Sequence, residues 1–396
     1  MLVAAPVQAR TIVGALGDAQ ERVGLRPRPA FTNFAQHFGA LMTAPSLTSP
    51  TSAALAGGAA IDSSMSLLGP IFLDHADTLG VGRTNVNVIG QRSFADASLF
   101  SQPFNELGLN APLNIVKRTS TGDPSTAALL GIRLRYAVDV HVWAAAIAVS
   151  HGFTDNFDAS LVLPIIHTRL DCAVFARIVK ATGPQGGAFE HVPGAPTLGG
   201  SIEPVDSTGI GDLVVRGKYK LAVPAPWKLA LTLETQFPTG DEFQLHGTGD
   251  YWLTPGVDLA LPLWNERGEL DAHAALNFAI LHSRQSQALY GVSASAVLWP
   301  KHLGAIVEFL GASQFDSAFA PNDTDVLVLT PGGITLDPLL GVGWNNRLDQ
   351  FNFSFGLRAI IGPGLVLFAN GVVALNPHEG VRPAGVVPTI GLGWTF

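Results

Sequence analysis

Acidic and imidazole groups crowd into the stretch "TGDEFQLHGTGDY", which carries Asp241, Glu242, His246 and Asp250. Oxygen ligands at short spacing can hold calcium. The order of these residues follows no calcium-loop pattern, so a solvated acidic loop is the simpler reading. A second cluster, "SHGFTDN", holds Ser150, His151 and Asp155, the residue types of a nucleophile, a base and an acid. Neighbours on a strand point to opposite faces, so Ser150 and His151 do not face one another. The chain has no G-x-S-x-G elbow, no H-E-x-x-H and no Gly-rich phosphate loop. No catalytic residue, metal site or cofactor is expected. The single cysteine, Cys172, reads as a small apolar filler.

Most charged residues are instead strung out at alternate positions. Between Ile132 and Val149, Leu134, Tyr136, Val138, Val140, Val142, Ala144 and Ala146 share one parity, and Arg133, Arg135, Asp139 and His141 the other. From Asp212 to Val223, Asp212, Arg216, Lys218 and Lys220 oppose Leu213, Val215, Tyr219 and Leu221. Glu234 opposes Leu231 and Leu233; Asp271 and His273 oppose Leu270 and Ala272; Arg358 opposes Phe355 and Leu357. Glu308 joins this polar set.

A period of two means a strand with one apolar and one polar face. Held over about 18 residues, it exceeds the 5 or 6 typical of soluble sandwiches. Long tilted strands, apolar outside and polar inside, are the mark of a transmembrane barrel. The polar set is therefore expected to line a lumen, as a solute path or as a salt-bridged filling of a closed barrel. His141 and His273 as a pH-sensitive pair is a weaker reading than hydrogen-bonding filler.

Composition agrees. Hydrophobic residues make up 47% and charged residues 14% of 396, against about 25% charged in ordinary soluble domains. Mean hydropathy is +0.30. A net charge of −8 without a Lys/Arg-dense stretch excludes nucleic acid as a partner. A membrane helix needs about 20 consecutive apolar residues. The best stretch, 359–375, is broken by Gly362-Pro363-Gly364.

Short links (151–158, 224–227, 265–268, 300–302 and 362–364) alternate with long Gly/Pro/Ser/Thr-rich ones (95–130, 180–210 and 317–350). The expected fold is all-β, a transmembrane antiparallel up-and-down barrel of about twelve strands over 79–396. A hairpin in 324–346 would make fourteen. The chain ends "GLGWTF" with Ile390, Leu392, Trp394 and Phe396 on one parity. An open edge in lipid would leave unpaired backbone groups, so this last strand is expected to close on the first, with Trp394 and Phe396 in the periplasmic aromatic girdle.

Residues 1–9, "MLVAAPVQA", resemble the tail of a signal peptide, although no basic n-region precedes them. Residues 10–78 do not alternate. Residues 10–25 suit a short amphipathic helix and 43–64 a low-complexity linker. The segment is expected to be a periplasmic extension or a plug.

The ordered stretches Gly211-Asp212-Leu213 with Lys218-Tyr219, Pro238-Thr239-Gly240-Asp241 and Thr248-Gly249 resemble the outer-membrane family named for the MetA pathway of phenol degradation. "GPIFLDHADTLGVGRTNVNVIGQ", "SHGFTDNFDASLVLPI" and the "GLGWTF" end are similar to it too, so the resemblance spans about 69–396. It implies a transporter-like barrel in the outer membrane of a Gram-negative bacterium. It also implies outer-membrane lipid, the barrel-assembly machinery and a small solute as partners, with Trp394 and Phe396 as the assembly signal. Two functions remain open. One is passage or uptake of small, hydrophobic or aromatic solutes. The other is a non-conducting structural or surface-recognition barrel whose loops carry the function. Phe100, Phe104, Phe189, Phe315 and Phe319 near the loops fit hydrophobic capture.

Overall fold

The computed structural model describes Thr11, Ile12, Ala15, Leu68 and residues 70–95, 112–117, 128–180, 197–201, 204–265, 267–281, 286–315, 326–330, 333–337, 349–376 and 385–396. Seventeen strands form one sheet. They are β1 (Thr84–Ala95), β2 (Pro112–Lys117), β3 (Ala128–Gly152), β4 (Phe157–Lys180), β5 (Thr197–Ser201), β6 (Val205–Ile210), β7 (Leu213–Leu221), β8 (Lys228–Phe237) and β9 (Trp252–Leu263). β10 (Gly268–Ala279), β11 (Gln287–Trp299), β12 (Leu303–Gln314), β13 (Val326–Thr330), β14 (Gly333–Asp337), β15 (Asp349–Gly362), β16 (Leu365–Ala374) and β17 (Val386–Thr395) complete it.

The ring has twelve staves. Antiparallel pairing runs from β1 through β3, β4, β7, β8, β9, β10, β11, β12, β15 and β16 to β17, and β17 pairs back onto β1. The last strand reaches its final residue fully paired. Asn85 opposes Thr395, and Thr84 and Phe396 exchange two backbone hydrogen bonds of 2.9 Å. No helix among the described residues is long and apolar enough to cross a membrane. The strands cross it, because closure satisfies every backbone group within the ring.

Two long links contain strands where only loops were expected, and a third holds the expected hairpin. Residues 180–210 hold β5 and β6. β4 pairs in turn with β7 at Phe157–Val162, β6 at Ile165–Leu170 and β5 at Ala173–Arg177, so three short strands make one stave. Their Gly/Ser/Thr content hid the period. Residues 95–130 hold β2, which continues the β1 stave along β3. The expected hairpin exists as β13–β14, but it adds no stave: β12 pairs directly with β15, and β13 lies parallel to β2.

The exterior is apolar. Val88, Ile147, Leu161, Leu231, Leu233, Val292, Phe355 and Leu392 are exposed and face outward. At one end Trp227, Trp264, Trp299, Trp394 and Phe396 are exposed beside the short turns, which is the placement of an aromatic girdle. The Trp394 and Phe396 rings lie 4.9 Å apart.

Candidate functional site: a segment seated among the wall charges

β7 and β8 carry the densest inward charge. Arg216, Lys218 and Glu234 fall on the inward parity of these strands and are buried. What they meet is not open water but the chain preceding β1. Asp74 lies against Arg216 at 2.7 Å, and Glu234 bonds the same guanidinium through its Nε at 2.9 Å. Lys218 donates to the His75 carbonyl at 3.2 Å. Lys220 and Lys228 grip the two oxygens of Asp77 at 2.6 and 2.7 Å.

The opposite side of the ring holds the segment's other end. Glu308 on β12 accepts the amides of Ile71, Phe72 and Leu73 at 2.9, 2.9 and 3.3 Å. Its second oxygen accepts the Ser354 hydroxyl at 2.8 Å. Arg358 on β15, fully buried, donates to the carbonyls of Leu68 and Pro70 at 2.6 and 2.8 Å. β15 and β7 face each other across the twelve-stave ring, so Leu68 and residues 70–75 lie across the lumen. From there Leu79 N donates to Asp158 at 3.1 Å, and Thr78 donates to the Asp155 carbonyl in the β3–β4 turn at 2.6 Å.

Apolar contacts complete the seat. Ile71, Phe72 and Leu73 are buried with Ile89, Ile306, Leu310, Phe368 and Val387 from the wall. Glycines open the space. A Cβ on Gly291 would lie 2.6 Å from Leu73, and one on Gly356 3.0 Å from Ile71. A cavity of about 70 Å³ remains beside Phe72 and Leu73, bounded by Thr254, His273, Tyr290 and Asn352.

His75, Glu269 and Asp271 bring ligand-type atoms within 4.8 Å of one another. The protons argue against a metal. His75 Nδ1 accepts the Asp77 amide at 2.9 Å, which leaves the proton on Nε2, donated to Glu269 at 2.5 Å. Lys228 occupies the other Glu269 oxygen at 3.0 Å. The group is an ion-pair network with no lone pair offered by the imidazole.

Asp212 does different work. It sits in the break between β6 and β7, where its carboxylate accepts Gly240 N at 3.0 Å, Thr248 N at 2.7 Å, the Thr248 hydroxyl at 2.8 Å and Gln236 at 2.9 Å. Thr239 donates to Gly211 O and accepts from Leu213 N. The three sequence motifs thus meet as one brace that folds the β8–β9 connection onto the wall. Asp241 caps the short turn there by accepting Phe243 N at 2.9 Å. Gln244 in the same connection accepts Ile12 N at 3.2 Å, which brings the buried helical turn at Ile12 and Ala15 to this loop.

Of the expected luminal set, Arg216, Lys218, Lys220, Glu308 and Arg358 bond the segment at 68–77, and Glu234 bonds Arg216. Asp271 bonds Ser293 at 2.9 Å and lies 3.7 Å from His75, and His273 bonds Asp258 at 2.6 Å. The side chains of Arg133 and Arg135 lie outside the described residues. Asp139 and His141 are a correction: they point outward. Val140, Val142, Ala146 and Ala148 are buried on the inner parity of β3, whereas Ile147 and Val149 are 44% and 40% exposed on the parity of His141. Alternation gives the contrast between two faces but not its sign. Above the apolar band the outside is polar and the inside is packed, so the contrast inverts. His141 and His273 are therefore on opposite sides of the wall and form no pair. Asp74, His75, Asp77, Asp158, Lys228, Asp258 and Glu269 complete the site. Among them Glu269 alone stood in an alternating strand with Asp271.

Fold and site together define a closed transmembrane barrel with its own N-terminal chain seated in the lumen. No protein-family profile and no curated protein matches the chain. Among solved structures it is similar to an outer membrane channel from Pseudomonas putida, at 14% identity and TM-score 0.44 over 81% of this chain and 98% of that one. It is similar to the KdgM porin at 6% identity and TM-score 0.36, covering 78% and 99%. A Pseudomonas aeruginosa FadL homologue matches at 10% identity and TM-score 0.33, covering 91% and 96%.

Proposed function

We propose that the protein is a non-catalytic outer-membrane channel of a Gram-negative bacterium that passes small, hydrophobic or aromatic solutes. In this reading residues 10–78 include a plug that sets when the lumen is open. One observation carries it: beside wall pairs such as Arg216–Glu234, Lys228–Glu269 and His273–Asp258, four inward charges have their partners on the segment at 68–79. A lumen that served only as structure would pair its own charges across neighbouring staves. Here Arg358, Glu308, Lys218 and Lys220 take their partners from the segment. Such a seat releases its occupant as a unit and exposes a charged passage.

The motif resemblance supports membership in the phenol-pathway family and, with it, assembly through Trp394 and Phe396. The second reading is a barrel whose lumen stays shut and whose loops act at the surface. It is favoured by the Asp212 brace, which fixes the β8–β9 connection firmly.

Uptake into vesicles carrying the full-length protein separates the two. The channel reading expects radiolabelled monoaromatic solutes to enter faster than into protein-free vesicles, and faster again when Glu308 and Arg358 are both replaced. Identical rates in all three preparations would leave the surface reading.

A further inference from the structure

The outer wall formed by β17, β1, β3 and β4 carries a feature unrelated to the lumen. Register fixes its outward rows. Leu392, Val88, Ile147 and Leu163 lie side by side and are wholly aliphatic. One step toward the long links come Ile390, Gly90, Ala145 and Ile165. The next row is Arg92, Trp143 and His167, followed by His141 and Arg169, and then by Asp139 and Asp171.

Gly90 and Ala145 sink the second row. A Cβ on Gly90 would meet nothing nearer than Ile390 at 4.0 Å. The result is a cleft of about 670 Å³, flanked by Ile165 and Ile390 and roofed by Arg92, Trp143 and His167. It reaches the seam where β1 and β17 part. Pairing stops at Gln91–Thr389, and the next residue of β17, Pro388, has no N–H to continue the ladder.

The roof is cationic and aromatic. The Arg92 guanidinium lies 5.4 Å over the Trp143 ring, and Trp143 lies 5.1 Å from His167 and 5.8 Å from His141. Arg92 makes no ion pair among the described residues. Arg169 is half exposed, and its bond to Asp171 at 3.4 Å engages Nε alone. Aliphatic rows below and a Trp–Arg row above match the boundary between acyl chains and headgroups, where amphipathic rings settle.

We propose that this cleft is a specific site for an outer-leaflet lipid with a phosphorylated headgroup. One acyl chain fills the space over Gly90 and Ala145, and the phosphate is held by Arg92 and Arg169. Guanidinium groups suit phosphate because their paired donors match its oxygens. Asp139 and Asp171 lie one row further out. The site rests on the outer-membrane orientation proposed above, but not on conduction.

The test is native mass spectrometry of the refolded full-length protein, titrated with bisphosphorylated lipid A or with zwitterionic phosphatidylethanolamine. Two variants accompany it, Ala145→Leu to fill the cleft and Arg92→Gln with Arg169→Gln to discharge the roof. The expected result is one lipid A retained per barrel, with affinity about tenfold lower in either variant and for phosphatidylethanolamine. Equal retention of lipid A by all three proteins, or of both lipids by the parent protein, overturns the site. Displacement of lipid A by inorganic phosphate alone reduces it to an ion site and overturns the lipid assignment. Lipid binding by a barrel that never passes solute would end the channel reading and leave this one standing.

Discussion

The Glu308 carboxylate and the Ile71 amide, 237 residues apart in sequence, meet at 2.9 Å inside the barrel. The same oxygen accepts Phe72 N at 2.9 Å. A buried carboxylate satisfied by backbone amides is a strong acceptor, each bond to a charged group contributing about 1.5–3 kcal/mol. It binds the segment whatever side chains the segment presents. Glu308→Gln should weaken the seat while leaving the ring paired. Hydrogen exchange at residues 71–73 should rise at least about tenfold, while amides of β10 and β11 stay protected.

Leu73→Ala tests the apolar half of the seat. Leu73 is buried against wall residues that include Leu310 and Ile306. Truncating such a side chain typically costs about 2–5 kcal/mol. Because Leu73 lies outside the ladder, that loss should appear as segment release and not as barrel unfolding. Limited proteolysis within residues 68–79 should become faster, with unchanged heat-resistant mobility of the barrel.

The Asp212 brace predicts a local effect at the other end of the molecule. Asp212→Ala removes the acceptor of Gly240 N, Thr248 N and the Thr248 hydroxyl. Leaving these donors unsatisfied should cost about 1–3 kcal/mol for each one that stays buried. The β8–β9 connection should become protease-sensitive between Pro238 and Asp250. Thr239→Val, which loses two bonds to Gly211 and Leu213, should do the same more weakly.

His246 lies in that connection, and burial holds its pKa below the ordinary value near 6.5. A lowered histidine pKa means that the folded loop favours the neutral ring. The unfolded loop binds more protons just below pH 6.5, so loop stability falls as pH drops through that value and is fully present above it. Protection factors of the loop amides, taken against the intrinsic exchange rate at each pH, should therefore fall on acidification from pH 7 to about pH 5.5. His246→Gln should flatten that dependence.

The twelve staves were legible because lipid outside and polar groups inside impose a period of two over the membrane-spanning length. Beyond the apolar band the rule lapses. Val140 packs inward while His141 faces out, and the alternation there misassigned Asp139 and His141. β5 and β6 lay hidden because Gly199, Gly200, Ser207 and Gly209 erase apolar contrast. The seated segment gave no periodic signal at all. Asp74, His75 and Asp77 are held by side chains of β7, β8 and β10, not by a ladder, so these residues take partners in different directions. What the sequence did show was the matching supply of charge on β7, β12 and β15, without its recipient.

Closure of the ring makes a prediction about assembly. Phe396 shares two backbone bonds with Thr84, and its exposed ring packs tilted against Trp394. Deleting Phe396 should leave translation unchanged but lower the yield of heat-resistant barrel in the outer membrane several-fold, measured by the shift in gel mobility. Phe396→Tyr should restore it.

Single-channel conductance in planar bilayers reports whether the seated segment closes the lumen. The full-length protein is compared with a variant carrying Glu308→Gln and Leu73→Ala, both checked for heat-resistant mobility. The account predicts a closed or barely conducting parent and a variant with stable open steps, because the loosened segment leaves the lumen. Equal conductance in the two proteins, or silence in both, would contradict the assignment of residues 68–79 as the plug of a solute path.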